Sequence, residues 1–223
     1  MEREFHDFFL ILHTMSINYW QSLKHDCYFH IYNRAVSGSV LFEEDSDYNF
    51  FLKQYNKYCE QYFETLAYCL IPNHFHFIVK VRPKGLIDSI IEQESFVIAE
   101  RYLKREIDVN DYLMNQLRRL FSSYSITFNN KYGRRGPLLM NKVKRVAIDN
   151  DDRLRYMIAY VHHNPIHHRL TDGYESWGYS SFRYINSNEV SLLERKEVMK
   201  LYGGKEEFKE YHNAFKLEKT EEP

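Results

Sequence analysis

The sequence predicts an α+β domain with a ferredoxin-like (split βαβ) antiparallel sheet, helices on one face of it, and additional C-terminal helices. Apolar residues recur with period two in short runs and with period 3.6 in longer runs. These runs follow one another as strand, helix, hairpin, helix and strand, which is the order of a split βαβ sheet. The 223 residues are 44% hydrophobic with only 8 Gly and 5 Pro, so the chain is able to bury a core.

The first half of the domain is predicted to supply three strands and one helix. Residues 27–36 are rich in aromatic and β-branched side chains, which favours a first strand. Residues 48–63 carry apolar side chains at helical spacing behind aspartates that can cap a helix N-terminus, so they predict a helix. Residues 65–71 and 74–82 are predicted to form a hairpin that turns at Pro72-Asn73.

The second half is predicted to be helical apart from one strand. Helices are expected over residues 86–105, after Asp111, and over residues 153–163, where Pro165 is expected to end the helix. The further predicted elements are a strand within 138–148 and helices at about 189–202 and 205–216. We divide the chain into an N-terminal leader (1–25), the domain itself (26–185) and a C-terminal helical extension (186–223).

Cysteine usage and apolar runs indicate a cytoplasmic protein. Cys27, Cys59 and Cys69 are odd in number and form no Cys-x-x-Cys pair, which favours reduced thiols. The apolar run at residues 8–12 is too short to span a bilayer, and its acidic flanks are not those of a signal peptide. We therefore expect no membrane partner.

Charge is unevenly distributed along the chain. The net charge is −1, but residues 101–145 contain eleven basic and three acidic residues, a local net charge of +8. A basic middle segment is typical of a surface that binds a polyanion such as nucleic acid. A solvated helix face followed by a basic loop explains the same pattern equally well.

The predicted third strand carries a His-x-His pair. His74 and His76 share one face because side chains alternate along a strand, and they lie about 6.5–7 Å apart along the backbone. Two imidazoles at that spacing are able to bind one divalent metal ion. By itself, the pattern more often represents two half-exposed surface histidines.

The helix before Pro165 carries a second set of candidate residues. Tyr160 and Asn164 are four residues apart and therefore share a helix face, on which Tyr156 also lies. A phenol and an amide oxygen on that face could approach a metal held by the histidines, although a tyrosine at such a position is more often a packing residue. A dense histidine cluster surrounds the proline, and we expect most of it to face solvent: His162, His163, His167 and His168.

Five segments resemble, in chain order, motifs of the HUH (His-hydrophobe-His) single-tyrosine transposases, and within them the REP-associated tyrosine transposase branch. The segments resemble the first strand, the HUH motif, the segment before the fourth strand, the nucleophile helix and a Trp-x-x-Ser-Ser block. They are residues 28–34, 70–78, 128–138, 160–165 and 177–182. The resemblance extends over about residues 26–185.

The resemblance implies a DNA nicking and joining enzyme that forms a 5′-phosphotyrosine intermediate. It implies Tyr160 as the nucleophile, His74 and His76 as metal ligands, and Asn164 as the third protein ligand. The implied cofactor is Mg²⁺ or Mn²⁺, since the chemistry takes place on hard oxygen atoms, although imidazoles also accept Zn²⁺.

The implied partner is single-stranded or hairpin DNA, bound by a monomer or homodimer in the bacterial cytoplasm and associated with the nucleoid when on DNA. The candidate phosphate contacts are Arg134, Arg135, Lys142, Lys144 and Arg145. Two other functions remain open at this point. One is a non-catalytic nucleic-acid-binding module, and the other is a metal-dependent hydrolase that uses the histidines between 162 and 168.

Overall fold

A four-stranded antiparallel sheet is the centre of the fold. The computed structural model describes residues 18–187 and 191–217. The strands are β1 (Tyr28–Arg34), β2 (Phe63–Ile71), β3 (His74–Val81) and β4 (Lys144–Ile148). Their order in the sheet is β2-β3-β1-β4, so β1 pairs with both β3 and β4. The predicted α+β class and antiparallel sheet are confirmed.

Helices connect and flank the strands. Between the strands lie α1 (Asp45–Tyr58), α2 (Lys84–Ile91), α3 (Val97–Leu103) and α4 (Val109–Lys131). After β4 lie α5 (Asp151–His167), α6 (Phe182–Ile185), α7 (Arg195–Tyr202) and α8 (Lys205–Ala214). None of the helices in these described ranges is both long and apolar enough to cross a membrane.

Two boundaries differ from the sequence prediction. The segment expected as one helix over 86–105 is two short helices, α2 and α3, separated by residues 92–96. Helix α5 continues through Pro165 to His167, because a proline in the last turn removes a single backbone hydrogen bond. The turn is closed behind it, where the His168 amide donates to the Asn164 carbonyl over 2.9 Å.

Helices α1 and α4 cover one face of the sheet with aromatic side chains. Phe75 and Phe77 of β3 point to this face, where Phe51 of α1 lies 5.0 Å from Phe75 and Tyr55 lies 4.2 Å from Phe77 between ring centroids. Tyr124 of α4 closes the cluster, 5.0 Å from Phe51. This apolar layer fixes which side of β3 is buried in the main core.

Helix α5 packs on the opposite face of the sheet. His74 and His76 point to that face, since they alternate with Phe75 and Phe77 along β3. Ile158 and Val161 of α5 are fully buried. The polar residues of β3 are therefore enclosed between the sheet and α5.

The ends of the described chain are attached to this framework. Within the predicted leader, residues 1–17 lie outside the described part, and residues 19–21 pair with β4 at Arg145. At the other end, the Tyr202 hydroxyl of α7 donates to the Arg155 carbonyl of α5 over 2.7 Å. Residues 188–190 and 218–223 of the predicted extension also lie outside the described part.

Candidate active site

His74 opens β3 directly after the Pro72-Asn73 turn, and both of its ring nitrogens face side-chain oxygens. Nδ1 lies 2.8 Å from Asn73 Oδ1, and Nε2 lies 3.1 Å from Asn164 Oδ1. The Asn164 amide is oriented by its own Nδ2, which donates to the Tyr160 carbonyl over 3.2 Å. The turn and α5 thus meet at this imidazole from two sides.

The single proton of a neutral His74 ring can be donated to only one of the two oxygens, Asn73 Oδ1 or Asn164 Oδ1. Burial lowers the pKa of His74 to about 4, so the ring is neutral at pH 7 and carries one N–H. If Nδ1 uses that proton to donate to Asn73, then Nε2 and Asn164 Oδ1 both present lone pairs to the same space. A separation of 3.1 Å is that of neighbouring ligands on an octahedral cation at about 2.1 Å.

His76 lies deeper on the same face and is 2% exposed. Its Nδ1 is 2.8 Å from His30 Nε2, and its ring centroid is 4.9 Å from that of His74. Nε2 of His76 is buried and receives no hydrogen bond of acceptable geometry from any described residue. A buried polar atom of this kind normally has a partner.

These residues fit a divalent metal ion. His74 Nε2, His76 Nε2 and Asn164 Oδ1 are two imidazole nitrogens and one amide oxygen brought together from β3 and α5. Burial also holds the pKa of His76 well below its usual range, and neighbouring His30 and His74 act in the same direction. The neutral form of each imidazole is the form that ligates metal.

Tyr160 completes the group from α5. Its ring lies edge-on to His76 at 5.8 Å and to His30 at 6.2 Å between centroids, and the side chain is 9% exposed. Tyr156, one turn earlier, instead packs against Phe215, with ring centroids 5.3 Å apart and planes tilted by 51°. The docking of α5 therefore brings Tyr160, rather than Tyr156, to the histidines.

A cavity of about 440 Å³ opens over His74, His76, Tyr160 and Asn164, and basic side chains surround it. Of the predicted DNA contacts, Lys142 and Lys144 line this cavity. His167 and His168 of the predicted histidine cluster also line it, as do two residues that the sequence did not indicate, Arg34 and Trp20.

The other predicted DNA contacts lie elsewhere. Arg134 donates to Asn129 Oδ1 and Ser39 Oγ over 2.7 and 2.8 Å, and Arg135 is exposed. Neither arginine is among the described residues that line the cavity. The prediction of Arg145 as a phosphate contact is corrected by the structure, because the residue is only 8% exposed.

The Arg145 guanidinium is used within the protein. It donates to the backbone carbonyls of Gln21, Val143 and Trp20 over 3.0, 3.2 and 3.2 Å. It therefore fastens residues 20–21 to β4 and does not reach a phosphate from that position. The sequence prediction grouped Arg145 with Lys142 and Lys144 because they are close in sequence, and sequence proximity does not indicate which of them is buried.

The histidine cluster around Pro165 is divided by the fold. His162 is buried and contacts His212 and Ser181, whereas His163 contacts the Tyr174 hydroxyl at 3.0 Å. His168 turns the other way, and its ring lies 4.9 Å from that of His74. Within residues 18–187 and 191–217, no three His, Cys, Asp or Glu side chains are grouped to hold a metal.

His30 and Tyr32 of β1 are the main residues that sequence reasoning missed. Both point to the α5 face, where the His30 ring stacks 4.4 Å from Tyr32 and 5.0 Å from His76. The signal was present, since His30 and Tyr32 share one face of a predicted strand. Only the β1–β3 register, in which Tyr32 pairs with His76, shows that this face of β1 adjoins the candidate metal ligands.

Comparison with known proteins confirms the resemblance to the REP-associated tyrosine transposases. No protein-family model matches the chain. A protein of Haemophilus influenzae assigned to the REP-associated tyrosine transposases is 28% identical over 142 residues, which span 61% of this chain and 70% of that protein. The solved structure of a REP-associated tyrosine transposase bound to a REP hairpin aligns with a TM-score of 0.50 at 16% identity, over 80% of this chain and 90% of that chain. The structural likeness establishes the shared fold.

Proposed function

We propose that this chain is a transposase-type enzyme that nicks and joins single-stranded or hairpin DNA, with a divalent metal ion and a 5′-phosphotyrosine intermediate. The observation that carries the proposal is the position of Tyr160. Its ring lies 5.8 Å from His76, and Asn164, one turn further along α5, contacts His74 at 3.1 Å. The similarity to a REP-associated tyrosine transposase supports the same activity.

His74, His76 and Asn164 are the residues that would hold the metal, for which Mg²⁺ or Mn²⁺ suits the oxygen chemistry best. When bound, such an ion polarises a phosphoryl oxygen and offsets the charge that develops on it. The low pKa of both histidines keeps them neutral and able to act as ligands from pH 7 down to about pH 5, since the pKa of His74 is about 4.

Tyr160 would act as the nucleophile. Its hydroxyl oxygen forms a bond to phosphorus as the hydroxyl proton is lost, and the bond from phosphorus to the 3′ oxygen breaks. The departing 3′ oxygen gains a proton and becomes a free 3′-OH. Because no water is consumed, attack by a 3′-OH on the phosphotyrosine reverses the step and joins strands.

The basic rim of the cavity would bind the DNA backbone. Arg34, Lys142 and Lys144 line the cavity that contains Tyr160, so a phosphate placed there meets cations from β1 and β4. Trp20, which is 49% exposed at the same rim, offers a ring on which an unpaired base can stack. Hairpin DNA is the substrate to test first, because the similar solved structure is bound to a REP hairpin.

A denaturing gel of protein with labelled hairpin DNA and Mn²⁺ tests the proposal. Wild type is expected to carry label through denaturation, and Tyr160→Phe is expected to lose it completely, because the phenol oxygen is the attacking atom. Tyr156→Phe is the matched control one turn earlier on α5, and it should retain the adduct.

Three results would contradict parts of this proposal. An adduct that survives Tyr160→Phe would assign the chemistry to another residue. Hairpin binding by wild type without any adduct would favour the non-catalytic nucleic-acid-binding module. Turnover that survives Tyr160→Phe but requires His162 or His163 would favour a hydrolase.

A further inference from the structure

We propose that His30 is a positioning residue, whose Nε2 accepts a hydrogen bond from the Nδ1–H of His76 and thereby leaves the lone pair of His76 Nε2 free to bind the metal ion. The inference rests on the proposed function, since it assigns a role to His30 at the same metal site. His30 lies on β1, whereas the proposed ligands and nucleophile all lie on β3 and α5.

The strand pairing brings His30 to this position. In the β1–β3 register Tyr32 pairs with His76 and His30 pairs with Ile78, so His30 is a diagonal neighbour of His76 on the same face. His30 Nε2 lies 2.8 Å from His76 Nδ1, and His30 is only 5% exposed. The His30 ring centroid lies 4.4 Å from that of Tyr32 and 5.0 Å from that of His76, and the latter two are 5.5 Å apart.

The direction of the His30–His76 hydrogen bond decides what His76 is able to bind. If His30 donates, His76 Nδ1 accepts and the proton of neutral His76 must sit on Nε2, which then has no lone pair for a metal. If His76 donates from Nδ1, its Nε2 lone pair points toward the cavity. A metal-bound histidine almost always donates its other N–H to a neighbouring group.

Asn73 stands in the same relation to His74. Asn73 Oδ1 lies 2.8 Å from His74 Nδ1 and leaves Nε2 facing Asn164. Each candidate ligand thus has its Nδ1 engaged by a different neighbour, so that Nε2 is the available nitrogen in both rings. The His76 partner is buried and the His74 partner is exposed, so we expect the loss of His30 to have the greater effect.

Two substitutions of His30 distinguish its role as a hydrogen-bond acceptor from its role as an aromatic packing residue. His30→Phe keeps an aromatic ring beside Tyr32 and His76 but removes the acceptor nitrogen. His30→Gln restores an acceptor oxygen near the position of Nε2. We expect Mn²⁺ affinity, measured by calorimetry, to fall about 10–100-fold in His30→Phe and to recover to within about threefold of wild type in His30→Gln.

Nitrogen NMR of wild-type protein labelled with ¹⁵N-histidine supplies a test that needs no metal and leaves His30 in place. We expect His76, assigned by comparison with His76→Gln, to show a protonated Nδ1 and an unprotonated Nε2. A proton on Nε2 would overturn the inference, as would a His30→Phe protein that is folded and binds Mn²⁺ as tightly as wild type does.

The inference and the proposed function fail in different ways. If wild type binds Mn²⁺ and forms the adduct while His30→Phe binds the ion equally well, only the role of His30 is lost. If wild type binds no Mn²⁺, the metal site and the role of His30 are lost together. If wild type binds Mn²⁺ more tightly than His30→Phe does but forms no adduct with a hairpin that it binds, the role of His30 stands and the proposed nicking activity fails.

Discussion

Among residues 18–187 and 191–217, two histidine networks differ in how their ring nitrogens are used. In the network between α5 and α8, His212 Nδ1 contacts the Phe208 carbonyl at 2.7 Å, His162 Nδ1 contacts His212 Nε2 at 2.9 Å, and His162 Nε2 contacts Ser181 Oγ at 2.7 Å. Because the carbonyl can only accept, His212 Nδ1 donates to it. His212 Nε2 must then accept from His162 Nδ1, and His162 Nε2 must accept from the Ser181 hydroxyl. This network is satisfied entirely by protein groups.

In the network on the sheet, one buried ring nitrogen has no hydrogen-bond partner among the described residues. His76 Nε2 lacks a hydrogen bond from any described residue, and His74 Nε2 faces an amide oxygen that also lacks a proton to give. The comparison shows that histidine networks can be classified by finding the hydrogen-bond partner of each ring nitrogen. A saturated network contributes to stability, and an unsaturated network at a cavity is a candidate for binding.

The largest expected effect is the contrast between His74→Ala and His162→Ala. His74→Ala is expected to reduce adduct formation more than about 100-fold, because it removes a metal ligand. His162→Ala should leave adduct per folded molecule within about threefold but lower the free energy of unfolding by roughly 2–4 kcal/mol, through a cavity and unpaired neighbours. Denaturant unfolding and the adduct gel measure the two quantities. Equal adduct loss in both variants would contradict the assignment of one network to metal binding and the other to stability.

Metal should stabilise the sheet network but not the α5–α8 network. At Mn²⁺ concentrations near 100 times Kd, we expect the free energy of unfolding to rise by about 2.7 kcal/mol, and EDTA should remove the gain. His162→Ala is the matched control and should keep this increment from its lower starting stability. An increment that persists in His74→Ala would show that the ion binds somewhere else.

Acid should destabilise the protein through both networks when metal is absent. The folded-state pKa values of His212 and His74 are each about 4, lowered mainly by burial, whereas the unfolded value is near 6.5. The unfolded chain therefore binds more protons, and stability falls as pH drops from about 6.5 toward 4.

The pH slope should be about 1.4 kcal/mol per pH unit for each such histidine. His212→Gln should reduce the slope measured in EDTA between pH 6.5 and 5 by about one proton, while saturating Mn²⁺ should leave it nearly unchanged, since the sheet histidines are already unprotonated in that range. Urea unfolding at several pH values measures the slope. An unchanged slope in His212→Gln would mean that His212 is not held neutral in the folded protein.

The smallest expected effect concerns DNA affinity at the rim of the sheet network. Lys142→Ala should weaken hairpin binding about three- to tenfold and reduce the salt dependence by roughly one phosphate contact, because Lys142 lines the cavity. Arg135→Ala removes an exposed cation outside that lining and is the control. Fluorescence anisotropy across a salt series measures both, and equal losses would indicate a broader DNA surface.

Much of the site followed from local periodicity. The period of two along β3 placed His74 and His76 together, and the spacing of four along α5 placed Tyr160 with Asn164. Both relations are set by the geometry of a single element, which is why the sequence alone determined them. The same periodicities predicted the order of strands and helices, and with it the α+β class.

Other features were decided only when the elements came together. The approach of Tyr160, and not of Tyr156, to the histidines depends on how α5 docks on the sheet, and the contact of His30 with His76 depends on the β1–β3 register. The burial of Arg145 depends on residues 20–21, more than a hundred positions away in the chain. The sequence by itself determined which side chains share a face, because that depends on local backbone geometry. Which faces meet was decided by the tertiary structure, because it depends on long-range packing.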